Sequence, residues 1–150
     1  MSRIPTPALI LGLAGLIPFL WGALSHAIPS LGAWSGSFIG DRFTGQALLQ
    51  SYGIVILAFM SGVIWGFAAR AEGPMATTGY ALSVVPALWA FLLGTGALIP
   101  SLIALGGGFI ALIWLDWVFW RNSLTPGWWM SLRILLTSVV TLCLVAGVIL

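Results

Sequence analysis

Charge is what this sequence lacks most. Its 150 residues contain five arginines, no lysine and three acids, so only 5% are charged. A soluble domain carries about 25%. A chain that is 61% hydrophobic and so poor in charge cannot cover a core with a water-facing surface. That excludes a soluble globular protein. The arginines are scattered singly, and nucleic acid needs a basic patch or stripe, so nucleic-acid binding is excluded as well. One cysteine, Cys143, rules out an internal disulfide and a cysteine metal cluster. It lies in the last apolar run, where a buried, inert thiol is expected. One histidine, His26, rules out a two-histidine haem within the chain. Without cysteine or carboxylate neighbours it makes no metal site. There is no G-x-S-x-G elbow with a Ser/His/Asp set and no carboxylate pair for hydrolysis. No catalytic residue, cofactor or metal is assigned, and a non-enzymatic protein is expected.

What the sequence has is long uncharged runs. A membrane-spanning helix needs about 20 apolar residues. Residues 4–40 carry no formal charge and supply a first span at 8–27, entered through Pro5 and Pro7 and kinked at Pro18. Arg3 before this run and Ser25-His26-Ala27 after it resemble a signal peptide. The run is longer than the ~7–15 residues of a signal h-region, so it reads as a retained span. Pro29 ends it, and the Gly- and Ser-rich residues 28–44 read as a loop. A second span is expected at 46–69, followed by water-facing Arg70 and Glu72. Residues 73–115 are uncharged. As one helix they would be about 64 Å long, twice the ~30 Å hydrocarbon core. They therefore cross twice, at 77–93 and 98–119, with the break at Gly94-Thr95-Gly96. Pro126 opens a fifth span at 127–149. The expected fold is an all-α bundle of five transmembrane helices in one domain, residues 1–150.

Arginine placement orients the bundle. Arg3, Arg70, Arg121 and Arg133 fall on one side and Arg42 alone on the other. The N-terminus is thus expected in the cytoplasm and the C-terminus outside. Trp65, Trp114, Trp117, Trp120, Trp128 and Trp129 form an aromatic belt at the inner interface, and Trp21 and Trp34 mark the outer one.

Helices in lipid associate by close approach at small residues. The expected contact stripes use Gly15 and Gly22 on the first span and Gly62 and Gly66 on the second. The third contributes Ser83, Ala87, Ala90 and Gly94, and the fourth Gly108. Gly106-Gly107-Gly108 reads as a bend or crossing point, since no P-loop lysine follows. The stripes serve either the interior of the bundle or a contact with another membrane protein or a second copy.

Asp116 and Arg133 are the most specific feature. Asp116 lies about 26 Å along the fourth span and Arg133 about 10 Å into the fifth, at comparable depth. Either ion alone would cost ~2.5–3.5 kcal/mol in mid-membrane, and pairing lowers that cost. Two readings stand: a clamp on the last hairpin, which is favoured because arginine cannot release a proton, or a proton or ion relay. Thr137, with Thr141, shares the Arg133 side of the helix. These hydroxyls either line a polar path or bond their own i−4 carbonyls. His26, toward the outer surface, reads as an interfacial hydrogen-bonding group and otherwise as a member of such a path.

Several short motifs carry a resemblance. They are Pro7-Ala8-Leu9 with Leu11-Gly12, Gly15-Leu16-Ile17-Pro18-Phe19, Tyr52-Gly53 with Ile56-Leu57, Phe59, Trp65-Gly66 and Ser83-Val84-Val85-Pro86. Gly108-Phe109, Asp116, Pro126, Trp128, Leu132-Arg133 and Leu136-Thr137 complete the set. Together they resemble the transmembrane-protein-69-like family of small multi-pass membrane proteins. Trp129 stands where that pattern has tyrosine. The resemblance implies a bacterial inner-membrane protein with relatives in the mitochondrial inner membrane, and it brings no activity, cofactor or catalytic residue. Function is therefore expected to be that of an accessory, assembly or structural subunit of a larger membrane complex. A small oligomeric channel or transporter is the alternative, and a lipid-binding or lipid-modifying protein is a third reading that only the aromatic belt favours. The expected partners are the lipid bilayer and other membrane proteins or a second copy.

Overall fold

The computed structural model describes residues 3–150, and these form no strand. Seven α-helices follow one another: α1 Thr6–Ala14, α2 Ile17–Ala27, α3 Pro29–Ile39, α4 Gly45–Ala68, α5 Gly73–Leu93, α6 Leu98–Arg121 and α7 Trp129–Ile149. With α1 and α2 taken as one span, Thr6–Ala27, five helical segments are long and apolar enough to cross a membrane.

The first span is interrupted at Gly15 and Leu16. Pro18 has no N–H, and its ring would clash with the carbonyl four residues back. The ladder tightens there, with the Leu16 amide donating to the Leu13 carbonyl, and regular bonding resumes from Leu20 to Leu16. The break thus sits just ahead of the proline.

Six boundaries differ from the sequence reading, among them the start of the first span at Thr6 and the end of the second at Ala68. The second span begins at Gly45. The third begins at Gly73, where φ of +61° suits only glycine readily and Pro74 opens the first turn. The fourth runs on to Arg121, unbroken through Gly106-Gly107-Gly108. The fifth starts at Trp129 rather than 127, after a turn through Pro126 and Gly127. A larger correction concerns residues 28–44, read as a loop. They contain helix α3 and a 3-10 turn, Asp41–Phe43. Pro29 opens α3 as well as ending α2.

Helix α4 is the hub, touching α2, α5, α6 and α7. Around it Phe19, Leu57, Ile64, Leu105, Phe109 and Leu144 are essentially inaccessible. Small residues set the crossings. A methyl at Gly22 would lie 2.9 Å from Leu49, at Gly94 2.8 Å from Ile54 and at Gly108 2.6 Å from Leu57. Gly15 offers its carbonyl to the Tyr52 hydroxyl at 3.2 Å. Ser83 and Ala90 are buried, and Ala87 is half-buried. Gly62 and Gly66 do not pack within the bundle: both are exposed, and a Cβ on either would meet nothing within 4 Å. Gly147, which the stripes missed, packs tightly, 2.6 Å from Leu49 by the same measure.

One inter-helix bond repairs a defect. Pro86 lies inside α5 and perturbs its ladder. Beside it, the Ser61 hydroxyl of α4 donates to the Ser83 carbonyl and accepts from the Ala87 amide, the latter at 3.2 Å. Those two backbone groups are i and i+4 partners. A serine from one helix thereby bridges the flawed turn of its neighbour.

Candidate functional site at the α6–α7 hairpin

The turn between α6 and α7 brings their last and first turns side by side. Asp116 stands five residues before Arg121, and Arg133 four residues after Trp129. Both are therefore about 6–8 Å from the helix ends. Asp116 is fully inaccessible and Arg133 is 4% exposed. The Arg133 Nε donates to Asp116 Oδ2 at 2.6 Å. The Trp129 indole N–H donates to the other oxygen, Oδ1, at 2.7 Å. Each carboxylate oxygen thus has a donor, and the two charges cancel. Phe67 of α4 meets the Trp129 ring edge-on at 5.0 Å, which fixes the indole. Arg70, at the end of α4, donates to the Leu124 carbonyl at 3.3 Å and holds the turn from outside.

Sequence reasoning did not assign Trp129 to this site; it placed that residue in the aromatic belt. The available signal was spacing, since Trp129 and Arg133 are i and i+4 and share one helix face. Trp114, Trp117 and Trp120 are exposed at the same end of the bundle, as belt residues should be.

Arg133 is only partly matched by Asp116. Among the described residues, its Nη2 and the Thr137 Oγ1 are buried without a hydrogen-bond partner. Thr137 therefore does not bond its i−4 carbonyl, the commoner habit of a threonine in an apolar helix. Arg133 and Thr137 line one cavity of about 130 Å³ with Leu16, Phe19, Met60 and Val140.

His26 is not part of this group. It lies in the last turn of α2 beside the backbone of Gly45 at the start of α4, at the opposite end of the bundle. There Ser25 Oγ accepts from the Gly45 amide at 2.8 Å and Gln46 donates to the Gly147 carbonyl at 2.7 Å. Among the described residues, no three His, Cys, Asp or Glu side chains converge as metal ligands. The arrangement can do two things chemically. It can lock a helical hairpin through a neutral buried pair, and it can present two unused donors to an apolar cavity.

Comparison with known proteins fits this description. The profile of a family described as protein of unknown function DUF3429 matches residues 4–149. Transmembrane protein 69 of Xenopus tropicalis is 34% identical over 155 residues, which takes in 99% of this chain and 56% of that protein. The chain thus spans little more than half the length of this curated relative. No solved structure matches.

Proposed function

We propose, for a chain that belongs to the DUF3429 family of proteins of unknown function, that it is a non-enzymatic interaction subunit, an accessory or assembly component of a larger membrane complex. The chain is a multi-pass membrane protein, and the reading starts from its two unexplained glycines. Gly62 and Gly66 lie one turn apart on α4, exposed, and nothing in the fold fills the space where their Cβ atoms would be. Glycine inside a helix costs about 1 kcal/mol relative to alanine, and here the fold itself gains no packing from it. Beside Gly62 runs a groove between α4 and α5, floored by Ala58, Ser61, Ser83 and Ala87. Small residues on a lipid-facing surface let another helix approach closely. The occupant we assign is one transmembrane helix of a second membrane protein.

A path for ions or protons through Asp116, Arg133 and Thr137 has less support. Both Asp116 oxygens already hold donors, arginine keeps its proton, and His26 stands at the far end. The setting we propose is a bacterial inner membrane, with the N-terminus cytoplasmic. Arg70 and Arg121, which share one end of the bundle, favour that side through the positive-inside preference.

The test is a photoreactive amino acid placed at position 62 in native membranes. The expected result is a crosslink to one defined membrane protein, absent when the probe stands at the lipid-facing position 142. Crosslinks to lipid alone from both positions would contradict the proposal.

A further inference from the structure

We propose that the cavity beside Arg133 binds the acyl carbonyl of a membrane amphiphile, with the acyl chain lying along its apolar walls. Apart from Arg133 and Thr137 the walls are mainly hydrocarbon, drawn from α1, α2, α4, α6 and α7. The two residues are one turn apart on the same face of α7. Arg133 Nη2 and Thr137 Oγ1 are both buried and unpartnered. In hydrocarbon an unmatched donor has no water to turn to. Asp116 does not serve them: its oxygens accept from Arg133 Nε and Trp129, neither Nη2 nor the Thr137 hydroxyl bonds it, and it does not line the cavity.

The chemistry of the missing partner follows. Asp116 already neutralises Arg133, so the site calls for a hydrogen-bond acceptor, not a cation or a second buried charge of its own. One carbonyl oxygen can accept from both donors through its two lone pairs. The remaining walls take methylenes. The way in is from lipid: α1 has no buried residue and is cut from α2 at Gly15. Leu11 and Phe59, both of which line the cavity, are 72% and 63% exposed. They flank a mouth between α1 and α4. Arg133 lies about 6 Å from the start of α7 and Thr137 about 12 Å, so a carbonyl reaching both enters from that end of the bundle.

A fatty acid bound in its protonated, neutral form and a phospholipid ester share this carbonyl, and the experiment separates them. Protein purified in mild detergent would be irradiated with three probes: a diazirine-bearing fatty acid, a phosphatidylcholine with the same chain in ester linkage, and that lipid with an ether linkage. At least one carbonyl probe is expected to label cavity residues such as Met60 and Leu136, and the probe that labels names the source. The ether lipid is expected to label about tenfold less, as for the loss of a charge-assisted hydrogen bond. Thr137→Val, which keeps the shape, is expected to lower carbonyl-probe labelling about three- to tenfold. Val140→Phe fills the cavity and is expected to abolish it. Circular dichroism and elution volume check the fold. Should Val140→Phe misfold, Thr137→Val decides alone. Ether-lipid labelling as strong as that of the best carbonyl probe, labelling unchanged in Thr137→Val, or no labelling of the cavity by any probe overturns the proposal.

Discussion

Asp116 accepts from Arg133 on one oxygen and from Trp129 on the other, in a site closed to water. Removing one partner of a buried pair leaves the other uncompensated, at about 3–5 kcal/mol. Asp116→Asn is therefore expected to lower stability by about 3 kcal/mol in reversible unfolding by sodium dodecyl sulfate. Replacing the pair together, Asp116→Leu with Arg133→Met, is expected to return to within about 1 kcal/mol of wild type, because no charge is then left buried. A double variant as unstable as the single one would show that the pair is more than a clamp. Trp129→Phe keeps the ring packed on Phe67 but loses the indole N–H, and is expected to cost about 1.5 kcal/mol. The acid and the base were legible in the sequence because charge is rare in an apolar run and their depths could be counted from the helix ends. Trp129 was not, since five tryptophans lie between residues 112 and 137 and composition alone cannot say which one turns inward.

Element by element, most of the bundle could be read from uncharged runs and proline positions, for charge and proline act locally. Helix α3 could not. Its glycines and serines look like a loop, yet they mark close approaches. A methyl at Gly32 would come within 2.5 Å of the Ser25 carbonyl, and one at Gly36 equally near the Asp41 carboxylate. At 11 residues α3 is far too short to cross. It turns Trp34 and Phe38 outward, their rings tilted by 57° with centroids 5.4 Å apart. Its length and its outward-facing tryptophan lead us to expect it at the membrane interface. Trp34 emission in a variant lacking the other exposed tryptophans is expected to be quenched best by lipids brominated near the headgroup. Stronger quenching by lipids brominated at chain ends would place α3 inside the hydrocarbon. The Ser61 bridge across α5 was equally illegible, because it joins residues 22 and 26 positions apart. Ser61→Ala is expected to cost about 1–3 kcal/mol, since it strands two backbone groups in an apolar setting. In a Pro86→Ala background the same change is expected to cost less, because a regular turn can then close on itself. A double-mutant cycle measures the difference, and equal costs in both backgrounds would remove the link between serine and proline.

At the scale of the whole molecule, five spans would put the termini on opposite sides of the membrane, and the orientation proposed above follows the positive-inside preference. A reporter active only outside the cytoplasm, fused at Leu150, is expected to be active; a cytoplasmic reporter at the same position is expected to be silent. The stripes of small residues were visible in the sequence, but not which of them the bundle consumes. Gly22, Gly94 and Gly108 are filled from within, whereas Gly62 and Gly66 face outward, because that choice depends on where α5 crosses α4. The proposed partner interface rests on those two glycines. The most direct test is purification of the tagged chain from native membranes in mild detergent, as wild type and as Gly62→Leu with Gly66→Leu, with every co-eluting protein quantified. The prediction is one membrane protein in fixed ratio to the wild type, lost in the variant while helix content and unfolding midpoint are unchanged. A wild-type chain that elutes alone, or a variant that keeps the same partner, would contradict it.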